Sequence, residues 1–355
     1  MLDFNEFKKR FTDDFQKRLE ERGIYAECAD RHVEKFNTSY DALSVIPMGS
    51  CVGVNVNLDA IFRSYVDGVD YSDVVDCAVS DTEAQIQDAP DIDVAKITDY
   101  AVMKRKLVME VVSADKNVKI LQNIPYEQME DIAVVYRLIL GQDSDSRTSI
   151  LVTTALMEQF GISYEQLRSD AMTSAPVLRP FEIKGISEVM AEMMGAEKSP
   201  VIDSTDDPIF VASVSDKTYG AGVIAYPNFF ECAAEKLNGD FYVLPSSIHE
   251  VLLLRDSGHM SAKDLEAMVR EINAAQVAPE ERLTDHVYHY DSKEHVFELA
   301  EKFEQRHGKR DAVENEIAKG SLLCELKAKK ETAIKDTSGK HAKDVMKLLR
   351  GGEAL

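Results

Sequence analysis

Several polar side chains between Tyr219 and Leu254 are of the types that nucleophilic catalysis requires. Ser247, His249 and Glu250 follow one another as a nucleophile, a general base and an orienting carboxylate would, and Tyr219 lies in the same stretch. On a strand, residues two apart share a face and adjacent residues point oppositely, so Ser247 and His249 can meet while Glu250 faces away. No G-x-S-x-G turn exposes the serine. The favoured alternative is a turn that serine caps, with His249 and Glu250 at a solvated strand start.

A second polar cluster, TDHVYHYD at residues 284–291, contains several metal-ligand types. On a helix, His286 and His289 would share a face, and Asp285 or Asp291 would supply a third metal ligand. On an extended segment the two histidines would diverge. The sequence favours the second reading, an aromatic strap laid against the domain. We therefore predict no cofactor and no metal, and Asp285, His286 and His289 stand as the candidate ligands if a metal binds.

Other catalytic fingerprints are incomplete. The zinc-protease pattern H-E-x-x-H fails because leucine follows His249-Glu250 where the second histidine belongs. The segment GAGVIA at 220–225 has only the relaxed spacing of a dinucleotide-binding loop, and it lies inside a predicted strand rather than after one. There is no Walker lysine loop, kinase motif set or EF-hand. The chain is therefore not predicted to be an enzyme on motif grounds.

The charge balance argues against nucleic acid and membrane surfaces as partners. The chain has 355 residues, with 41 basic and 63 acidic side chains and a net charge of -22. Such a charge repels phosphate backbones and anionic lipids. Residues 293–355 differ, because their fourteen basic and twelve acidic side chains give about +2. Nucleic acid is therefore unlikely as a partner except through residues 293–355.

The cysteines and the hydropathy pattern predict a cytoplasmic protein. The five cysteines are an odd number without a C-x-x-C pair, which fits neither a disulfide framework nor a zinc ribbon and is typical of thiols in a reducing compartment. The N-terminal residues MLDFNEFKKRF lack the order of a signal peptide, and no apolar run is long enough to span a bilayer.

The spacing of apolar residues predicts an α+β fold, with a mainly antiparallel sheet flanked by helices and a helical C-terminal extension. A helix begins at a capping box formed by Asp3 and Glu6, and antiparallel strands follow between residues 25 and 56. The sequence predicts a β-hairpin at residues 132–152. Residues 222–254 predict a strand, a helix and a second hairpin, whose strands are 241–244 and 248–254.

The organisation predicted from composition has three parts. Residues 1–90 form an N-terminal helix, strands and two helices, and residues 99–278 form a central α+β domain. Residues 279–355 form a C-terminal strap and helix and a charged, partly disordered tail. An acidic, apolar-poor stretch between residues 80 and 99 marks the first boundary.

Five blocks of sequence resemble a bacterial family that is classed as a domain of unknown function and is common on mobile elements of anaerobic gut bacteria. The blocks, in order, are NVNLDAIFRSYVDG, ILQNIPYEQMEDIAVVYRLIL, SILVTTALMEQFGISYEQL, YGAGVIAYPNFFECAAEKLNGDFYVLPSSIHEVLLL and APEERLTDHVYHYD. The resemblance covers roughly residues 1–292. The central and later blocks are also distantly similar to a second family of bacterial cytosolic proteins. The resemblance implies that residues 99–254 belong to one domain, and it transfers no catalytic residue.

The leading hypothesis from the sequence is a non-enzymatic accessory or interaction protein of a mobile element. Such a protein would bind a protein partner through a sheet edge or through the C-terminal tail. The alternative is a hydrolase or metal-dependent enzyme whose site forms only in the fold, from Tyr219, Ser247, His249, Glu250, His286 and His289.

Overall fold

The computed structural model describes residues 2–89, 94–142, 147–194, 207–245 and 247–307. The described residues form two compact units. Unit one comprises residues 2–89 and 94–97 with residues 140–142 and 147–150, and unit two comprises the other described residues from 98 to 307. The predicted charged tail beyond residue 307 and part of the predicted linker, residues 90–93, lie outside the described residues.

Unit one is a three-stranded antiparallel sheet covered by helices, with strand order β1-β2-β3. Its elements are α1 (Phe4–Glu21), β1 (Ala26–Lys35), β2 (Thr38–Pro47), β3 (Val54–Asn57), α2 (Leu58–Val66), α3 (Tyr71–Gln87) and α4 (Val94–Ile97). Asp3 and Glu6 form the predicted capping box, since each side chain accepts a hydrogen bond from the other residue's backbone amide at 2.9 and 3.2 Å. The helix predicted at the capping box and the antiparallel strands predicted between residues 25 and 56 are present.

The core of unit one is built on the phenylalanine spacing of α1. The aromatic residues recur at three- and four-residue steps, so they share one helix face. The core contains Phe7, Phe11, Phe15, Leu19, Leu43, Val45, Val56, Leu58, Val74, Val75, Ala78 and Val79. Replacing one buried phenylalanine with alanine would cost about 3–5 kcal/mol, so this face fixes α1 on the sheet.

Unit two contains two further antiparallel sheets. The strands are β4 (Leu107–Ser113), β5 (Tyr126–Met129), β6 (Ile132–Gln142), β7 (Arg147–Leu151), β8 (Phe181–Gly185), β9 (Ile209–Val214), β10 (Phe241–Leu244), β11 (Val251–Arg255), β12 (Tyr288–Asp291) and β13 (Val296–Leu299). One sheet has the order β4-β6-β5, with β7 also pairing with β6, and the other has the order β13-β12-β10-β11-β9-β8. The β6–β7 hairpin confirms the prediction for residues 132–152. Only part of this hairpin belongs to unit two.

Helices precede or follow most of these strands. They are α5 (Tyr100–Met103), α6 (Val118–Leu121), α7 (Thr154–Phe160), α8 (Tyr164–Leu178), α9 (Ile186–Met193), α10 (Phe229–Leu237), α11 (Ala262–Gln276) and α12 (Ala300–His307). The fold is α+β, with antiparallel sheets flanked by helices and a C-terminal helix, as the sequence predicts. None of the described helices combines the length and the apolar character that crossing a membrane requires.

Three local predictions are wrong. Residues 220–225 form a 3-10 helix instead of a strand. The segment expected to be a strap includes β12, which lies between β10 and β13 inside the six-stranded sheet. The second strand of the 241–254 hairpin begins at Val251, so His249 and Glu250 lie in the connecting loop. In each case tertiary packing decided between local structures of similar intrinsic preference.

Candidate functional site

The first candidate cluster lies where the loop before β11 meets the 3-10 helix at residues 220–225. The Ile248 carbonyl accepts a hydrogen bond from the Ala221 amide at 3.1 Å. The His249 carbonyl accepts one from the Ser213 hydroxyl at 2.8 Å. A Cβ on Gly220 would lie 2.6 Å from the His249 carbonyl oxygen, so only glycine permits this approach. The loop is thereby held at a fixed position beside β9.

The ring of His249 has a defined tautomer in its neutral form. Its Nδ1 accepts a hydrogen bond from the Tyr219 amide at 3.2 Å, so the ring proton lies on Nε2. Nε2 is 3.4 Å from Glu281 Oε1. Tyr219 adopts the left-handed conformation, with φ 53°, which is uncommon for an aromatic residue. In this arrangement Nδ1 accepts from a backbone amide and Nε2 faces Glu281, so neither ring nitrogen is directed at Ser247.

Ser247 and Glu250 do not complete a catalytic triad with His249. The Ser247 hydroxyl accepts a hydrogen bond from the His249 backbone amide at 2.9 Å, so it caps the turn rather than facing the imidazole. Glu250 makes no hydrogen bond to Tyr219, Ser247 or His249 within the part of the chain that the structure describes. The structure thus brings Tyr219, Ser247 and His249 together without the contacts of a nucleophile and its base.

A second cluster, which we call the Asp131 cluster, consists of Asp131, Thr284, His286 and Tyr288. Asp131 lies in the two-residue turn between β5 and β6, and the other three residues alternate along an extended segment that ends in β12. Side chains two apart share a face, so all three reach one carboxylate. Thr284 Oγ1 donates to Asp131 Oδ2 at 2.5 Å, His286 Nδ1 lies 3.0 Å from the same oxygen, and the Tyr288 hydroxyl donates to Oδ1.

The Asp131 cluster shifts the titration of its members. Burial raises the pKa of Asp131, but the hydrogen bonds from His286, Thr284 and Tyr288 outweigh burial and hold it below its usual value. The hydrogen bond with Asp131 raises the pKa of His286. Burial, with the nearby charge of Asp131, raises the pKa of Tyr288. Asp131 and His286 therefore favour the state in which the carboxylate is ionised and the imidazole is protonated.

Chemically, the Asp131 cluster orients an imidazole. When His286 is neutral, its Nδ1 proton is held by Asp131 and the lone pair lies on Nε2, as in enzymes where a carboxylate positions a general base. The side chain of His286 is 49% exposed. The adjacent hydroxyl of Thr284 donates to Asp131, so it is not poised as a nucleophile. The cluster ties the β5–β6 turn to β12 and has the contacts of a structural clamp.

The other two candidate ligands, His289 and Asp285, have different partners from His286. His289 is fully buried, its Nε2 is 3.1 Å from Asp256 Oδ2, and its ring stacks on Phe303 with centroids 3.5 Å apart. Asp285 accepts a hydrogen bond from the Asn273 side chain at 2.7 Å. Asp285, His286 and His289 therefore contact three different partners, because the segment is extended and not helical.

The described residues also include an open cleft of about 380 Å³. It is lined by Glu165, Arg168, Ser169, Met172, Thr173 and Pro227. Small-molecule sites are usually apolar cavities with a few placed polar groups. This cleft is open, with about as much polar as apolar surface, and Arg168 in it is already paired with Glu127 through two hydrogen bonds of 2.5 and 3.1 Å. None of the residues that the sequence singles out lines it.

A third feature, in unit one, is the outer edge of β1. All ten residues of β1 pair with β2, from Ala26 opposite Pro47 to Lys35 opposite Thr38, and β1 is the first strand of its sheet. At the open end of this hairpin, the Tyr25 carbonyl accepts a hydrogen bond from the Met48 amide at 2.9 Å. Tyr25 is 61% exposed and Met48 is 81% exposed. An edge strand and an exposed apolar pair thus lie side by side.

Comparison with known proteins places the chain in a family. The model of the family of unknown function DUF5688 matches residues 4–292. The chain belongs to this family. The searches of curated proteins and of solved structures each found no match. The DUF5688 match agrees with the extent of the resemblance seen in the sequence, and it ends in the turn between β12 and β13.

Within the DUF5688 region, the sequence did not single out Asp131. The sequence did contain a signal for the other three residues of the cluster. Thr284, His286 and Tyr288 alternate as polar residues do on one face of an extended segment. The aspartate that they share lies about 150 residues earlier, in an ordinary hairpin turn. Only the fold brings it into contact with them.

Proposed function

We propose that this chain is a non-enzymatic protein-binding protein that pairs with an extended, basic segment of a partner protein along the outer edge of β1. The observation that carries the proposal is the position of β1, a ten-residue strand at the edge of its sheet. An edge strand presents unpaired amides and carbonyls, and many domains bind peptides by adding a strand to such an edge. The docking stretch is residues 26–33.

The Tyr25–Met48 pair supplies the apolar anchor for this binding mode. Tyrosine is enriched among interface residues that dominate binding energy, and methionine adapts its shape to a partner. Both side chains lie at the end of the hairpin where β1 begins, and a segment that pairs with β1 and continues past residue 26 runs beside Tyr25, whose neighbour across the ladder is Met48. Backbone pairing supplies affinity, and the anchor supplies selectivity.

The charge pattern favours a partner different from this chain. Two copies of β1 that paired antiparallel across a two-fold axis would place one central residue opposite itself. The exposed run Ala29–His32 is centred on Asp30 and Arg31, so such pairing would bring like charges together. The net charge of -22 instead attracts a basic segment.

The enzymatic alternative has weaker support. Its six residues fall into separate groups, because His249 contacts Tyr219, His286 contacts Asp131 and His289 contacts Asp256. A hydrolytic site requires a nucleophile, a base and a substrate cavity in one place. Such a combination is not formed by these residues.

We infer the cellular setting from the sequence. The resemblance supports a bacterial accessory protein of a mobile element, and it supports the distant relation to a second, cytosolic family. The odd number of cysteines and the lack of a C-x-x-C pair support a cytoplasmic location. The division into residues 1–90, 99–278 and 279–355 is part of the same proposal.

Site-specific photocrosslinking in the native host tests the proposed docking edge. A benzophenone amino acid replaces Ala29 in β1, and a matched chain carries it at Val177, which is 80% exposed on α8. We expect the chain labelled at position 29 to form a covalent adduct with one protein, and the chain labelled at position 177 not to form that adduct. Adducts of the same composition at both positions, or none at position 29, would refute the proposal.

Affinity measurements with the captured protein then test the anchor. Because Met48 and Val177 are 81% and 80% exposed, Met48→Ser and Val177→Ser remove apolar side chains of similar accessibility. We expect Met48→Ser to weaken binding about tenfold, as loss of an interface anchor does, while Val177→Ser leaves the dissociation constant unchanged. Equal effects of the two variants would contradict the assignment of the docking edge.

A further inference from the structure

We propose that Asp291, Glu294 and His307 form a binding site for a divalent transition metal of the zinc class. The three residues come from the end of β12, the β12–β13 turn and the last residue of α12. One oxygen or nitrogen from each lies within 4.8 Å of the other two. Carboxylate oxygens and an imidazole nitrogen are a ligand set that zinc accepts in sites that keep one position open.

The buried member, Asp291, is already oriented as a ligand. Its side chain is 7% exposed, and its Oδ1 accepts hydrogen bonds from the amides of Lys293 and Glu294, each at 3.0 Å. These bonds fix the carboxylate and direct Oδ2 toward the other two residues. Outer hydrogen bonds of this kind orient metal ligands in known sites.

The spacing between Asp291 and His307 matches two ligands of one metal ion. Asp291 Oδ2 and His307 Nε2 are 3.4 Å apart. Zinc bonds of about 2.0–2.1 Å at a tetrahedral angle separate two ligand atoms by about 3.3–3.4 Å. One Glu294 oxygen lies within 4.8 Å of both other ligand atoms, and its side chain is 51% exposed, which leaves room for it to rotate closer.

One cation, the guanidinium of Arg306, competes for the same carboxylates. Its Nη2 is 3.4 Å from Asp291 Oδ2, and its Nη1 contacts Glu294. The same guanidinium also binds Glu298, through Nε at 2.8 Å and Nη2 at 2.7 Å. Arg306 therefore keeps a carboxylate partner when a metal takes Asp291 and Glu294, and its removal should strengthen metal binding.

A metal at this position would connect α12 to the end of the six-stranded sheet. The sequence predicted no metal site, and this one shares no residue with its candidate ligands Asp285, His286 and His289. It is separate from the proposed docking edge of β1, so the two proposals stand or fall independently.

Calorimetric titration of the full chain with Zn²⁺, with Mg²⁺ as a control, tests this inference. We expect one Zn²⁺ per chain and no Mg²⁺ binding, because Mg²⁺ takes oxygen ligands. His307→Gln and Glu294→Gln should each weaken Zn²⁺ binding at least about tenfold, within the range that altered metal sites show. Both side chains are partly exposed, so we expect these variants to fold. Asp291→Asn is less suitable because it removes a buried turn cap.

Two further variants separate this site from adventitious binding by histidines. His295→Gln removes a histidine that is 64% exposed in the same turn, and it should leave Zn²⁺ binding unchanged. Arg306→Gln should lower the dissociation constant about threefold or more, because a competing charge is lost. No saturation by Zn²⁺ up to about 1 mM, an equal loss in His295→Gln, or no gain in Arg306→Gln would overturn the proposal. Visible absorption of bound Co²⁺ provides a second readout.

Discussion

Asp131 accepts the side-chain hydrogen bonds that join the β5–β6 turn to the segment from Thr284 to Tyr288. Three donors from one extended segment converge on it, and its side chain is 17% exposed. Hydrogen bonds to a charged group contribute more than neutral ones, and a donor left without its acceptor in a buried place costs further free energy. Asp131 therefore stabilises unit two far more than an exposed carboxylate would.

Replacing Asp131 with asparagine should lower the free energy of unfolding by about 1.5–3 kcal/mol, the range for a hydrogen bond to a charged group. The folded-state pKa of Asp131 is lowered, so its contribution is present above the unfolded value near 4 and is lost as pH falls. The folded-state pKa of His286 is raised, so its contribution is complete below about 6.5 and is lost as pH rises. The pair is most effective between these limits.

Urea unfolding at about pH 5.5 and about pH 9 measures both effects, because His286 is protonated only at the lower pH. We expect a larger difference between wild type and Asp131→Asn at the lower pH. Glu130→Gln is the control, since it alters the neighbouring carboxylate, whose partner Lys302 is 55% exposed. A loss of stability in Glu130→Gln as large as that in Asp131→Asn would contradict this account.

Among the elements, the 3-10 helix at residues 220–225 best shows how packing selects local structure. A Cβ on Gly222 would lie 2.4 Å from the carbonyl oxygen of Met109 in β4, and one on Gly220 would lie 2.0 Å from the Ser213 hydroxyl. The glycines therefore allow the segment to approach β4 and β9 more closely than any other residue permits. This close packing explains the spacing of the two glycines, and the segment does not form a phosphate-binding loop.

Substituting Gly222 with alanine should destabilise the protein by about 1–3 kcal/mol, because the added methyl group meets a backbone carbonyl that cannot rotate away. Gly141→Ala is the matched control, because a Cβ there meets no atom within 4 Å. Chemical unfolding of both variants measures the difference. If the two variants lose the same stability, the close approach to β4 does not explain the glycine.

At the scale of the whole molecule, net charge governs which polymers approach. A net charge of -22 opposes association with nucleic acid, whereas the terminal stretch, residues 293–355, has a balance of about +2. A cut at residue 292 would remove β13 and α12, which are regular elements within residues 296–307. A shortened chain should therefore end at residue 307 and not at residue 292.

We expect the full chain not to bind duplex DNA at about 150 mM salt, and fluorescence anisotropy with a labelled duplex measures this. The chain that ends at residue 307 is the comparison. Binding by the full chain that disappears in the shortened chain would assign DNA binding to the terminal stretch and would contradict the expectation. Binding by both chains would contradict the charge argument itself.

The sequence predicted those elements whose signals are local. The capping box of Asp3 and Glu6 and the hairpin at residues 132–152 each depend on neighbours a few positions away, and both are present. The strand predicted at residues 222–226 failed because its short apolar run fits several conformations. The contact that selected one of them, with β4, joins residues more than 100 positions apart.

Amino-acid order alone determined the α+β class, the acidic surface and the family to which residues 4–292 belong. The class and the charge follow from composition and from periodicities of two and 3.6 residues, which are properties of short segments. The family follows from the match of its model to residues 4–292. The tertiary structure decided which polar groups meet: His286 with Asp131, His289 with Asp256, and His307 with Asp291. Such pairings depend on strand register and on the docking of α12, which fix distances between residues far apart in the chain, and no short segment encodes them.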